Sequence, residues 1–248
     1  MAAATVVFIT GVRQGIGRSL LETYLSRPSH IVIGTVRNPD AIPDLQAIPT
    51  AEGSKLLLVS IENTNPADQA RALATVKAAG IDHIDIFIAN AGGSPPLKPL
   101  DVVPPEDLET AFATNASSNL LFFQTFKPLL QAAEQPKWVS LSTFGASIGL
   151  MGQLGTHAAP AYGPSKAALN WITQCVPHRL TLSLPCLVSG DHVQTGPGNM
   201  IARYVGMEQA PSTIEECVTK LTALIDKATR EEHSGKFLDN LNGGELPW

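Results

Sequence analysis

The chain has 248 residues, a formal net charge of −5, 44% hydrophobic residues and 16% charged residues. That balance suits a packed core and excludes the polar, highly charged composition of a disordered chain; the negative charge argues against nucleic acid as a partner, although a local basic pocket for one phosphate remains compatible with it. No apolar run approaches the roughly 20 residues that span a bilayer, and the opening residues lack a basic n-region, so a cytoplasmic protein that does not contact membranes is expected.

In chain order, short β-branched runs alternate with helix-like segments, the pattern of βαβ units around a parallel sheet. Strands are expected at residues 6–9, 31–36, 56–61, 84–89, 138–142, 182–188 and 236–238. Helices are expected at 16–26, 66–79, 106–133 with a break, and 161–174, with a further one after Pro211. In that last segment Ser212 and Glu215 have capping-box spacing, and Ile214, Cys217, Val218, Leu221, Leu224 and Ile225 repeat on one face. The expected architecture is α/β: a Rossmann-type, doubly wound, mainly parallel seven-stranded sheet with helices on both faces, in a single domain over 1–248. The connections 92–105, 145–160 and 189–211 are long for a compact domain, and all three follow strands. They would lie at the carboxyl edge of the sheet, where open α/β folds bind ligands; 189–211 is the candidate substrate-binding loop or lid. Cys175, Cys186 and Cys217 lack metal-ligand spacing, so buried, reduced thiols and no metal are expected.

Thr10-Gly11-Val12-Arg13-Gln14-Gly15-Ile16-Gly17 sits between the first strand and the first helix. Glycines there let backbone N–H groups and a helix N-terminus approach a pyrophosphate with no β-carbon in the way. The second strand ends in Thr35-Val36-Arg37-Asn38, with no carboxylate before Asp40. A carboxylate at that place would favour a ribose 2′-hydroxyl, whereas cations accommodate a 2′-phosphate. Arg37 and Arg13 together offer a two-guanidinium clamp. NADP(H) is therefore the expected nucleotide; the alternative is that both arginines are merely solvated surface charges.

The spacing TGxxxGIG, followed in order by Asn90-Ala91-Gly92-Gly93, by Asn115 and by Tyr162-Gly163-Pro164-Ser165-Lys166, resembles the short-chain dehydrogenase/reductase family over nearly the whole chain. Within it the sequence looks most similar to fungal polyketide ketoreductases of the norsolorinic acid ketoreductase type. The resemblance implies cofactor contacts from Gly11, Arg13, Gln14, Gly15, Ile16, Gly17, Arg37, Asn90, Ala91, Gly92, Tyr162 and Lys166. It also implies contact with adenine through Ser60 and the Ile61 backbone, where the family commonly has an Asp. Gly190, Val193 and Thr195 correspond to its carboxamide-binding turn, in which Ser189 replaces the usual proline.

Reduction of a ketone needs a proton donor, and an unperturbed tyrosine with pKa about 10 is a sluggish one at neutral pH. Tyr162 and Lys166 are four residues apart, on one face of a helix, so the ammonium would favour the phenolate by Coulomb attraction. By family analogy the same lysine also holds the nicotinamide ribose. A second hydroxyl to hold the substrate oxygen falls on Thr143, where the family has serine; Ser142 is the alternative if the register slips by one. Asn115 resembles the helix asparagine that fixes a water in a relay ending at the lysine. His192 reads as a pocket wall or exposed residue, for want of a partner. Gly152, Leu154, Met200, Ile201 and Tyr204 suggest an apolar, aromatic ketone or alcohol as substrate, and the family implies homodimers or homotetramers. Two other readings stay open: a non-redox step on the same fold (dehydration, isomerisation or cyclisation), motivated by Thr143 and Ser189, and a non-catalytic NADP(H)-sensing protein.

Overall fold

The computed structural model describes residues 4–38, 43–176, 186–189 (backbone), 193–204 and 206–248. The strands are β1 (Thr5–Ile9), β2 (His30–Val36), β3 (Lys55–Ser60), β4 (Ile86–Ala89), β5 (Lys137–Ser142), β6 (Cys186–Ser189) and β7 (Lys236–Leu238). The helices are α1 (Gly15–Leu25), α2 (Pro43–Gln46), α3 (Pro66–Ala78), α4 (Pro105–Phe112), α5 (Ser118–Ala132), α6 (Met151–Leu154), α7 (Tyr162–Cys175), α8 (Gly196–Tyr204), α9 (Ile214–Lys227) and α10 (Arg230–His233). The seven strands form one sheet in the order β3-β2-β1-β4-β5-β6-β7, and every pairing is parallel. The expected seven-stranded α/β sheet is thus observed.

Central strands of a parallel sheet are buried on both faces, which is why they read as unbroken apolar runs. On one face Val7, Ile9 and Val32 pack with Leu21 of α1 and Leu221 of α9; on the other Phe8, Phe87 and Trp138 pack with Phe122 and Phe126 of α5. Register explains the aromatic row. Phe8 is paired with Phe87 and Phe87 with Trp138, and their rings stack at 4.7 Å and 4.4 Å.

The expected break in the 106–133 helix is a π-helical turn, Ala113–Ser117, with Asn115 buried inside it. The cap of α9 corrects the sequence reading by one residue. Thr213, not Ser212, accepts the hydrogen bond from the Glu216 N–H (3.1 Å). Ser212 is held in extended backbone instead, bridged to Val193, with its carbonyl accepting from Gln194 N–H (2.8 Å). The long 189–211 segment is not all loop, since α8 lies within it. The cysteine expectation also needs correcting. Cys217 is buried, whereas Cys175 ends α7 on its solvent side and is exposed. Among the described residues no helix is long and apolar enough to cross a membrane.

Candidate active site

Strand order reverses between β1 and β4, since the chain leaves β1 for β2 on one side and reaches β4 on the other. A crevice must open at the carboxyl ends of those two strands. A cleft of about 950 Å³ lies there, lined among others by Gly11, Arg13, Gly15, Arg37, Asn90 and Lys166.

Its floor is the glycine-rich turn. Gly11 (φ 72°) and Gly15 (φ 61°) hold left-handed backbone that a side chain would strain. At Gly17 a β-carbon would lie 2.2 Å from the Gly11 carbonyl oxygen and 2.5 Å from Asn90 Nδ2, so α1 can start this close to the turn only with glycine. The turn is pinned from below. Thr35 Oγ1 accepts from Gly11 N–H (2.9 Å), Asn90 Nδ2 donates to the Thr10 carbonyl (2.8 Å), and Thr10 Oγ1 accepts from Ala91 N–H (2.8 Å). Gln14, Ile16, Gly17, Ala91 and Gly92 line the same cleft, as the sequence implies.

Arg13 and Arg37 are exposed and both line the cleft; among the described residues neither forms an ion pair. Ile61 lines it as well, together with Glu62 and Asn63. Ser60 does not. Its hydroxyl donates to the Arg37 carbonyl (2.9 Å) and ties the ends of β2 and β3 together. On the opposite rim Thr195 lines the cleft, but Val193 is wholly buried behind it, its carbonyl accepting from Thr195 N–H (2.6 Å). Gln194, which the sequence reading did not single out, lines the cleft beside Thr195. Gly190 and His192 lie outside the described residues, as does Asp40.

Tyr162 opens α7 and faces the cleft. Lys166, one turn on, is buried; its Nζ donates to the Leu141 carbonyl at the end of β5 (2.8 Å) and lies 6.0 Å from the centre of the Tyr162 ring. Ser165 donates to the Tyr162 carbonyl (2.7 Å) and accepts from Asn115 Nδ2 (3.0 Å). Asn115 also pairs with both backbone groups of Gly93: Oδ1 accepts from the N–H (2.9 Å) and Nδ2 donates to the carbonyl (2.8 Å). Its side chain therefore clamps the β4 loop to α7. The Asn115 backbone carbonyl, freed from the regular ladder by the π turn, accepts from Asn119 Nδ2 (2.8 Å). Gly92 is a close-approach glycine: a β-carbon there would lie 2.9 Å from Asn115 Oδ1 and 3.3 Å from Lys166 Nζ.

A second cavity, about 450 Å³ and mostly apolar, adjoins the first; Tyr162 and Ile201 line both. The two hydroxyls left open by the sequence part company here. Ser142 donates to Asn170 Oδ1 (2.6 Å) on the cleft side. Thr143 lines the apolar cavity beside Tyr162, and its Oγ1 accepts from Gly145 N–H (2.9 Å), which leaves the hydroxyl hydrogen available to donate. Leu154, Ile201 and Tyr204 line this cavity as expected, whereas Gly152 and Met200 are not on its wall. Asp239, Leu241, Asn242 and Leu246 are on its wall too, from a C-terminal turn that carries no sequence motif and was not anticipated. Among the described residues no cluster of His, Cys, Asp and Glu is placed to hold a metal.

A family model described as short chain dehydrogenase matches residues 5–182. The chain is 46% identical to a short-chain dehydrogenase of Neurospora crassa, over 99% of this chain and 98% of that one. It is 33% identical to the norsolorinic acid ketoreductase of Aspergillus parasiticus, over 98% and 91% of the two chains. Its fold is similar to that of the NADPH-bound carbonyl reductase from chicken fatty liver, with a TM-score of 0.85 and 24% identity over 100% of both chains. The glycine-rich turn, the switch-point cleft and the Tyr162/Lys166 pair thus occur in a sequence that matches the family model over most of its length: the chain belongs to the short-chain dehydrogenases, a family of oxidoreductases.

Proposed function

We propose that the protein is an NADP(H)-dependent carbonyl reductase that interconverts a ketone and a secondary alcohol, with an apolar, aromatic substrate seated in the smaller cavity. The observation that carries this reading is the position of Tyr162, whose side chain is shared by a nucleotide-sized cleft and an adjoining apolar pocket. The cleft fits a dinucleotide: two glycines with positive φ and a third with no room for a β-carbon form a phosphate cradle. Two arginines with no ion pair among the described residues suit a 2′-phosphate better than a hydroxyl. The NADPH-bound carbonyl reductase of the same fold agrees with this choice.

When bound, NADPH supplies the hydride. Tyr162 gives a proton to the carbonyl oxygen in reduction and takes it back in oxidation. Lys166, fixed by the Leu141 carbonyl, stabilises the phenolate left behind. Thr143 donates its hydroxyl hydrogen to the substrate oxygen, with its rotamer held by the Gly145 N–H. Asn115 is a positioning residue that sets Gly93 and Ser165, and through Ser165 the first turn of α7. The 189–211 segment contributes Ile201 and Tyr204 to the substrate side and Thr195 to the nucleotide side.

Tyr162→Phe tests the reading. Steady-state NADPH oxidation with a panel of aryl ketones is expected to fall by roughly a hundredfold or more, while the NADPH dissociation constant stays within about twofold. Undiminished turnover refutes the role of Tyr162. NADPH binding by the unmodified protein without oxidation on any ketone favours a non-redox or sensing function.

A further inference from the structure

The wall of the apolar cavity opposite α8 comes from residues beyond β7, and that stretch is built as a tight, heavily tied turn. Asp239 N–H donates to the Gly244 carbonyl (3.0 Å), and Asp239 Oδ1 accepts from Leu241 N–H (2.9 Å) and Asn242 N–H (3.0 Å). The returning limb pairs with β7, through a bridge between Leu238 and Glu245 and a bond from Leu246 N–H to the Phe237 carbonyl (2.6 Å). Two residues further on, Trp248 makes two contacts of different kinds. Its indole stacks on the buried Phe237 ring at 5.6 Å between centroids, 25° from parallel. Its carbonyl accepts from Gly149 N–H (3.1 Å), which lies in the 145–160 connection that forms another wall of the same cavity. A β-carbon on Gly149 would come within 3.4 Å of that oxygen, so the two segments meet closely.

We propose that Trp248 is a positioning residue for substrate width: by tying the C-terminal turn to the 145–160 segment it sets the wall of Leu241 and Leu246 relative to that of Leu150 and Leu154, shaping the cavity for a ketone with several fused rings. The inference rests on the carbonyl-reductase reading and adds the class of substrate to it. Trp248 itself is not on the cavity wall, and the residue is 41% exposed. The ring acts through its stack on Phe237, which seats the Trp248 carbonyl against Gly149, and its removal leaves the Tyr162, Lys166 and Thr143 side chains in place. Leu241 and Leu246 line the C-terminal wall and Leu150 and Leu154 the 145–160 wall, so a ketone broad enough to touch both should depend on the tie more than a single-ring one beside Tyr162. A cavity near 450 Å³ is in the range that encloses a molecule of several rings.

The test compares acetophenone with 2-acetylanthracene in the full-length protein, as wild type, Trp248→Ala and Trp248→Phe, with NADPH affinity and melting temperature measured for each. Trp248→Ala is expected to raise KM for 2-acetylanthracene about tenfold, the loss of one aromatic contact and its wall. The kcat for both ketones, KM for acetophenone and the affinity for NADPH should stay within about twofold. Trp248→Phe keeps a stacking ring and should restore most of the KM. The proposal is overturned if both ketones lose activity in parallel, if Phe does no better than Ala, or if KM for the larger ketone does not move. Should the wild type oxidise NADPH with neither ketone, the carbonyl-reductase reading fails instead; direct fluorescence titration of 2-acetylanthracene then decides the width proposal alone, a tenfold weaker binding in Trp248→Ala supporting it and equal binding refuting it.

Discussion

At the scale of single residues, glycines and arginines shape the nucleotide cleft. Gly17 leaves room for the Gly11 carbonyl and Asn90, and its replacement by any residue with a β-carbon would push α1 away from the turn. Arg37 faces the cleft from the end of β2 with no acidic partner among the described residues. Arg37→Asp should therefore lower kcat/KM for NADPH relative to NADH by roughly ten- to a hundredfold, the range of one or two charge-assisted hydrogen bonds. Kinetics with both nucleotides check this, and an unchanged preference refutes the proposed clamp. Motif residues were readable because each is the only residue type that fits its place. Ser60 and Val193 were harder to place, for the opposite reason. A strand-end serine suits a backbone carbonyl as well as a ligand, and the sequence does not say that Ser60 turns to Arg37 or that Val193 faces inward behind Thr195.

At the scale of elements, the periodic helices and apolar strands were legible to within a residue or two, apart from the strand expected at 182–188, whose residues 182–185 lie outside the described ones, because burial on one helix face or both strand faces leaves a direct trace in the sequence. Ends and irregularities were less so. Serine and threonine are adjacent candidates for the α9 cap, and only the bridge from Ser212 to Val193 decides for Thr213. Thr213→Ala should lower stability by about 1 kcal/mol, read as a shift in the urea midpoint, while Ser212→Ala should leave it nearly unchanged; the reverse ranking would restore the earlier cap. The break in the long helix was anticipated, and Asn115, a residue type poorly suited to a helix interior, sits within it. Its π-helical form and its partners Gly93 and Ser165 belong to the packing of β4, α5 and α7 together.

At the scale of the whole molecule, sheet order places the chemistry. Reversal between β1 and β4 opens the cleft, and α7 delivers Tyr162 to its edge. The same architecture separates the thiols. Burial pushes the Cys217 thiol of α9 up to about 11, only partly offset by the hydrogen bond from the Asn240 side chain, so it stays protonated and shielded at neutral and mildly alkaline pH. Cys175 is exposed. Iodoacetamide at pH 8 should alkylate Cys175 in the native protein and reach Cys217 only at urea concentrations that unfold it, as peptide mass mapping would show. Rapid native labelling of Cys217 would contradict its burial.

The sequence alone determined the family, the parallel sheet and the identity of the Tyr162/Lys166 pair, because these rest on local spacing: a glycine turn between strand and helix, apolar runs, and side chains one helical turn apart. Only the tertiary structure decided that Thr143 rather than Ser142 faces the apolar cavity, that Gln194 lines the rim while Val193 is buried behind it, and that a turn from the far end of the chain closes the pocket. Those choices depend on which way a side chain points and on contacts between segments remote in sequence, and neither leaves a periodic or compositional trace.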